Sequence, residues 1–405
     1  MIGYLKEYLD IRMLATVLGL LGCGLVCVYS ATYDAGASDI LRRQLLYAAA
    51  GTGVMLAALL LPPRFLTFIS YPAYFASILL LVSVLLLGKT VSGSTSWFNL
   101  GAFRVQPSEF TKITTVMALA AFLSGRGTEL GSFRNLAIAS GIVLLPVALI
   151  MKQPDTGTAI IYLAMFIPLL YWGGAGRFTL LAIAAPCVAA LTALVGITPF
   201  LIAVTVLGIL IYLMKEHRIA AAAVFSFSVL IGISVQTVYN GLKPYQQKRI
   251  DTFLNPGADP LGAGYNVLQS KVAIGSGGLF GKGYLKGTQT QLNFIPEQWT
   301  DFIFCVPGEE FGFVGATLVL ALFFLFLTRG VWLGSAVKTR YGSVLAIGLT
   351  SVIGAHVFIN IGMAVGLLPV IGVPLPFMSY GGSALLTNMA AVGLLLNLYA
   401  HRKEH

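Results

Sequence analysis

The chain has 405 residues, 57% hydrophobic and only 10% charged, with a net charge of +10. An average soluble protein is about 25% charged, so this chain cannot cover its own surface with polar groups in water. That composition excludes a soluble multidomain protein, a disordered chain, a collagen, a coiled coil and a secreted disulfide scaffold, and leaves a polytopic membrane protein.

A membrane span needs roughly 20 apolar residues. Candidate segments in chain order are 12–32, 42–61, 70–88, 108–124, 134–151, 157–173, 178–196, 198–214, 219–237, 302–328, 342–366 and 381–400. The apolar run after Arg12 is long and lacks a small-residue cleavage site, so it reads as a first span and not as a removable signal peptide. The adjacent pair around Thr198-Pro199 reads either as two short spans with a tight turn or as one broken helix plus a partial one. The fold class is therefore an all-α polytopic membrane protein with about 10–12 spans in a single domain over 1–405, with no soluble domain appended.

Charge orients the spans through the positive-inside rule. With the N-terminus inside, thirteen inner residues are basic: Lys6, Arg12, Arg64, Arg126, Arg134, Arg177, Lys215, Arg218, Arg329, Lys338, Arg340, Arg402 and Lys403. Short outer loops hold five, Arg42, Arg43, Lys89, Arg104 and Lys152, so both termini are expected in the cytoplasm. Basic residues scattered in this way are topology signals and do not form a nucleic-acid footprint. Cys23, Cys27, Cys187 and Cys305 stand in apolar stretches without metal-ligand spacing and read as buried thiols.

One long loop, 238–301, is expected on the extracytoplasmic side, and a second polar outer stretch covers 89–107. Structureless loops of such length are uncommon and often functional. The long loop contains Asp259-Pro260-Leu261-Gly262-Ala263-Gly264-Tyr265. A carboxylate held there suits a general base, and the same residues suit an ordinary turn. Gly275 to Gly287 interleaves glycines with Lys282 and Lys286 like a phosphate cradle, without the GxxxxGK[ST] pattern.

Gln106-Pro107-Ser108-Glu109 opens the fourth segment, and Glu109 and Lys112 can pair at i and i+3. Intramembrane charges are functional candidates, and a structural ion pair is the competing reading. Glu297, Asp301, Glu309 and Glu310 crowd the start of the tenth segment, with Lys112 and Lys271 as candidate partners. His356 and Asn360 lie one turn apart in the eleventh segment and read as interhelical hydrogen-bonding residues, so no metal is assigned. Pro154-Asp155-Thr156-Gly157, Pro374-Leu375-Pro376 and Gly381-Gly382 read as turns.

Together, SWFNLGAFRVQPSEFTK, QPDTGTA, DPLGAGYNVLQSKVAIGSGGLFGKGYLKGTQ, PEQWTDFIF with GEEFGFVG, and LPFMSYGGS, spanning 96 to 383, resemble the SEDS family (shape, elongation, division and sporulation). GTQ at 287–289 favours its elongation branch over its division branch. The resemblance implies a peptidoglycan glycosyltransferase of the bacterial inner membrane. Such an enzyme polymerises lipid II into undecaprenyl-linked glycan strands during elongation and releases polyprenyl diphosphate. Its implied partners are a class B penicillin-binding protein and other membrane proteins of the elongation complex. The family's essential acid corresponds to Asp259, its tryptophan to Trp97 and its span lysine to Lys112.

A diphosphate leaving group needs charge neutralisation, for which basic side chains such as Arg104 and Lys271 or a divalent cation, Mg or Mn, are the alternatives. Glu109, Glu297 and Asp301 complete the expected substrate-binding set. Motif density on the outer side favours an enzyme over a flippase for the same lipid, which wants polar residues along the midplane. A pure scaffold leaves the acidic residues unexplained.

Overall fold

The computed structural model describes residues 8–33, 38–91, 94–100, 103–214, 218–242, 244–254, 264–292 and 294–404. Three helices open the chain, α1 (Ile11–Tyr33), α2 (Ser38–Leu59) and α3 (Pro63–Leu87). Three short strands follow, β1 (Lys89–Val91), β2 (Ser94–Leu100) and β3 (Phe103–Val105). Next come α4 (Pro107–Leu123), α5 (Phe133–Lys152), α6 (Thr156–Trp172), α7 (Arg177–Val195), α8 (Ile197–Met214) and α9 (Arg218–Asn240). A layer of short helices, α10 (Pro244–Leu254), α11 (Tyr265–Ser276), α12 (Thr288–Gln291) and α13 (Cys305–Glu310), precedes α14 (Gly312–Ala336), α15 (Arg340–Ala364) and α16 (Gly382–Ala400).

Among the described residues nine helices are long and apolar enough to cross a membrane: α1, α3, α5, α7, α8, α9, α14, α15 and α16. Interleaved with them are α2, α4 and α6, which carry more polar residues or are shorter. Helices α4 and α6 have 17 residues each, about 25 Å at 1.5 Å per residue and close to the hydrocarbon thickness. All twelve apolar segments of the sequence thus become helices, and the pair at Thr198-Pro199 is two helices turning at Gly196, whose φ is +154°.

Hydrogen bonds sort the turns to two ends. At one end Arg340 donates to the Gly173 carbonyl, Asn397 to the Leu59 and Leu61 carbonyls, and the Lys338 amide to Arg402. Arg329 pairs with Asp10 there at 2.6 Å. The strands, the 153–155 turn, the α10–α13 layer and the 371–381 turn belong to the opposite end, as alternation of the spans requires.

Two expectations change, for the tenth span and the cysteines, and two polar outer stretches gain internal structure. The tenth span begins at Gly312 and not at 302, because Cys305–Glu310 forms a separate helix whose carboxylates are anchored in the outer layer. Within the polar stretch 89–107, β1, β2 and β3 form an antiparallel ribbon with Lys89 opposite Trp97 and Asn99 opposite Arg104. Loop 238–301 contains α10, α11 and α12. Cys187 is exposed and Cys23 half-buried, because their helices turn those faces away from the packed core; Cys27 and Cys305 are buried.

The packed core centres on α15 and α16 with α1, α2, α4, α6 and α14 around them. Small residues bring these helices close. A Cβ on Gly348 would lie 2.3 Å from Val116 Cγ1 on α4, and one on Gly393 would lie 2.3 Å from the Met55 carbonyl on α2. Helices α7–α9 stand aside with a separate small cluster of Ala185, Leu207 and Ile211.

Candidate active site

At the end that carries the strands, a cavity of about 400 Å³ opens between five stretches of chain. Strand β2 contributes Ser96 and Trp97, and the start of α4 contributes Gln106 and Glu109. The start of α6 supplies Asp155 to Thr158, the approach to α13 supplies Glu297, Thr300 and Asp301, and the 371–384 turn closes the far wall. His356 reaches the same space from within α15.

Each wall has a local reason. Pro107 occupies the first turn of α4, where its missing N–H costs nothing. Asp155 caps α6 by accepting from the Thr158 amide at 3.0 Å, and its other oxygen accepts from Thr158 Oγ1 and Gln106 Nε2, each at 2.8 Å. That bond ties the start of α4 to the start of α6. Glu297 has φ +55°, a left-handed conformation that is costly for a side-chain-bearing residue. The amides of Thr300 and Asp301 donate to its carbonyl and Thr300 Oγ1 to its carboxylate, which hold the turn.

Below this mouth lies a buried polar group. Lys112, 1% exposed, sets Nζ 2.8 Å from Glu109 Oε1 and 2.7 Å from His356 Nε2. Asn360, one turn beyond His356, donates to the carbonyls of Asp301 and Val373.

The structure thus brings Trp97, Glu109, Glu297 and Asp301 to one cavity and sets Lys112 directly against it. Arg104 on β3 and Lys271 on α11 are exposed and lie outside its lining. The Lys271 side chain runs over Gly366, where a Cβ would lie 2.1 Å from its Cε. Asp259 falls outside the described residues, between the end of α10 at Leu254 and the start of α11 at Tyr265.

Asp155, Gln106 and His356 also line the cavity and are not among the sequence-predicted site residues. Asp155 reads as a turn residue because Pro-Asp-Thr-Gly is turn chemistry, Gln106 gives no signal, and His356 reads as an interhelical hydrogen-bonding residue. The QPDTG string offered a signal, since a capping carboxylate can also accept from a second partner.

The acidic group at 297–310 divides. Glu297 and Asp301 face the cavity, whereas Glu309 and Glu310 face the outer layer and do not meet Lys112 or Lys271. Glu309 Oε1 accepts from Lys282 Nζ at 2.7 Å and the Gln289 amide at 2.9 Å, and Oε2 accepts from the Thr290 amide at 3.0 Å. These two carboxylates lie outside the spans. Burial raises the pKa of Glu309, but the Gln289 and Thr290 amides and Lys282 outweigh it, so its carboxyl sits below the usual range. Burial dominates at Glu310, whose bonds from Ser30 and Gln291 offset it only in part, and its pKa is raised. The glycines of 275–287 serve close packing: a Cβ on Gly277 would lie 2.0 Å from the Gly308 carbonyl, and one on Gly281 2.1 Å from that of Glu310. Lys282 is committed to Glu309, and the glycines of the loop pack it against the 308–310 backbone.

Among the described residues no three of His, Cys, Asp and Glu converge as metal ligands. Of the cavity carboxylates, Glu109 is engaged by Lys112, Asp155 by Gln106 and Thr158, and Glu297 by Thr300.

The chain is 37% identical over 399 residues to the peptidoglycan glycosyltransferase MrdB of Escherichia coli K12, covering 98% of this chain and 95% of that one. It is 36% identical to the peptidoglycan glycosyltransferase RodA of Treponema pallidum, covering 97% and 98%. A chain solved in a study of the structural coordination of polymerization and crosslinking by a peptidoglycan synthase complex superposes with a TM-score of 0.76 at 28% identity, covering 98% and 99%. The rod-shape-determining protein RodA of Thermus thermophilus superposes with a TM-score of 0.66 at 26% identity, covering 98% of each chain. A family model for FtsW, RodA and SpoVE, described as cell cycle protein, matches residues 11–221 and 197–404. With both halves of the chain matched by the family model and relatives aligned almost end to end, the chain belongs to the FtsW/RodA/SpoVE family, the SEDS family of the sequence motifs.

Proposed function

We propose that the cavity between β2, α4, α6 and the 371–384 turn is where this peptidoglycan glycosyltransferase joins lipid II units during cell elongation. The observation that carries this reading is convergence. Trp97, Glu109, Asp155, Glu297 and Asp301 come from stretches far apart in sequence, and all face one space at the end that carries the polar loops.

In the reaction, an acceptor sugar hydroxyl attacks the anomeric carbon of the donor. The new C–O bond forms as the bond to the diphosphate breaks. The hydroxyl proton passes to a base and polyprenyl diphosphate leaves. A single displacement of this kind needs one base and a means to neutralise the departing charge, by analogy with inverting glycosidases. We assign the base to Asp259, on its Pro- and Gly-constrained motif. Lys112 supplies a cation at the cavity floor, Trp97 an aromatic face for a sugar ring, and the exposed Arg104 and Lys271 are the candidates for the diphosphate.

The cavity end is the extracytoplasmic face of the bacterial cytoplasmic membrane, and both termini are cytoplasmic. Counted over short loops, basic residues favour the opposite end thirteen to five, which supports that orientation. A class B penicillin-binding protein is the partner that crosslinks the product, a reading supported by the similar chain solved in a peptidoglycan synthase complex.

The test uses purified protein and lipid II, with glycan strands resolved on gels. Asp259→Asn keeps shape and removes basicity, so polymerisation falls about 10²–10⁴-fold, while Asp251→Asn stays active. Polymerisation by Asp259→Asn at the unmodified rate places the base elsewhere.

A further inference from the structure

The floor of the cavity is built by two helices that face each other. On α4, Glu109 sits one turn before Lys112 and accepts from its Nζ at 2.8 Å. From α15, His356 brings Nε2 to 2.7 Å from the same Nζ, and its Nδ1 lies 3.2 Å from the Pro374 carbonyl. Lys112, Glu109 and His356 are 1%, 4% and 3% exposed.

The bonding pattern assigns the tautomer. A carbonyl only accepts, so Nδ1 carries the proton; an ammonium only donates, so Nε2 offers its lone pair. The imidazole is therefore a neutral bridge from the 371–374 wall to the Lys112 ammonium. Asn360 repeats the device one turn on, donating to Val373 and Asp301, so that α15 grips the wall at two points.

We propose that His356 is a positioning residue for glycosyl transfer, which fixes the Lys112 ammonium at the cavity wall. This rests on the reading of the cavity as the active site. A lysine has four rotatable side-chain bonds, and Glu109 lies on the same helix, so that pair alone leaves Nζ free to swing. His356 adds a second point of attachment from the facing helix. A cation that neutralises charge in the transition state must stand in a preset place. A misplacement of about 1 Å lowers turnover about 10²-fold.

The experiment compares His356→Gln, His356→Asn, Lys112→Met and the double variant His356→Asn with Lys112→Met, in polymerisation of lipid II with kcat and KM measured separately. Glutamine can present an acceptor near the place of Nε2, whereas asparagine reaches only the Pro374 side. The expected result is that His356→Gln keeps most of the turnover, while His356→Asn loses about 10²-fold in kcat at unchanged KM. The double variant is then no worse than Lys112→Met alone, because both act through one group. Detergent melting temperatures identify variants whose loss is merely unfolding, and a loss that tracks them in both His356 variants overturns the proposal. Equal turnover of His356→Gln and His356→Asn also overturns it, as do losses that multiply in the double variant. If Lys112→Met itself polymerises normally, the reading of the cavity fails. If Lys112→Met is inactive while His356→Asn is active, that reading stands and only the role of His356 is lost.

Discussion

The apolar 18-residue stretches of α15 and α9 have the same mean hydropathy, yet 72% of that stretch in α15 is buried inside the protein against 17% in α9. What differs is what their small and polar residues meet. On α15, Gly348 packs against Val116, His356 meets Lys112 and Asn360 meets Asp301 and Val373. By contrast, Ser228 and Ser234 on α9 donate to carbonyls of their own helix, and the trio α7–α9 offers mostly large aliphatic and aromatic side chains to its surroundings. Lipid tails are as apolar as leucine, so hydropathy does not drive one helix against another. Close packing at small residues and interhelical hydrogen bonds do. The trio contributes no residue to the lining of the cavity, whereas α4, α6 and α15 all do. The centre of the bundle is therefore both the packed part and the chemical part.

The sharpest way to break this comparison is to change one basic residue in each region. Lys112→Ala removes the cation at the cavity floor and should lower glycan polymerisation by about 10²-fold or more. Arg218→Ala, at the start of α9, should leave polymerisation and detergent stability unchanged. Similar losses in the two variants would give the trio a share in the chemistry.

A second test sharpens the picture within the packed region, where two adjacent carboxylates are held differently. Glu309→Gln discards charge-assisted bonds to Lys282 and to two amides and should cost about 1.5–3 kcal/mol at neutral pH. Its folded pKa is depressed, so its contribution is present above the ordinary carboxylate pKa and fades as pH falls through the folded value. Glu310 has the opposite sign: its folded pKa is raised, so ionising it weakens the fold as pH rises through that value. Glu310→Gln should therefore be neutral or stabilising near pH 7. Melting curves of both variants across pH decide the matter, and a larger loss for Glu310→Gln at pH 7 contradicts the assignment.

The smallest expected effect concerns two glycines. Gly393→Ala places a Cβ 2.3 Å from the Met55 carbonyl and 2.7 Å from Ala58 Cβ, an overpacking that costs about 1–3 kcal/mol. Gly208→Ala in the trio meets only the Phe225 ring at 3.4 Å. It should be neutral, or stabilising by the ~1 kcal/mol that alanine gains over glycine in a helix. Thermal unfolding in detergent should separate the two, and equal shifts would mean that the trio is packed as tightly as the centre.

The spans were legible because an apolar run long enough to cross a membrane is a local property, and all twelve segments are helical. The i, i+3 pairing of Glu109 with Lys112 was legible for the same reason. Partners distant in sequence were not. Nothing near Glu309 announces Lys282, because the glycines between them matter only once Gly277 and Gly281 are seen against the 308–310 backbone. Asp155 was hidden by its own adequacy as a helix cap, and His356 by the lack of a second histidine nearby. Hydropathy also misplaced the start of the tenth span, since Phe302, Ile303 and Phe304 are apolar but packed inside the outer layer.

The start of α14 shows how tightly that layer and the bundle are joined. Gly312 has φ +64°, and a Cβ there would lie 2.4 Å from the Gly281 nitrogen. The next two amides, Phe313 and Val314, donate to the carbonyls of Gly278 and Leu279. First-turn amides have no partner within their own helix, so this span borrows its N-terminal acceptors from chain more than thirty residues earlier. In hydrogen exchange, Phe313 and Val314 should therefore lose protection together with the 277–283 segment, as one opening unit. An outer-surface loop and the first turn of a membrane helix thus form a single cooperative element, and a ligand or partner that displaces Gly278 also uncaps α14.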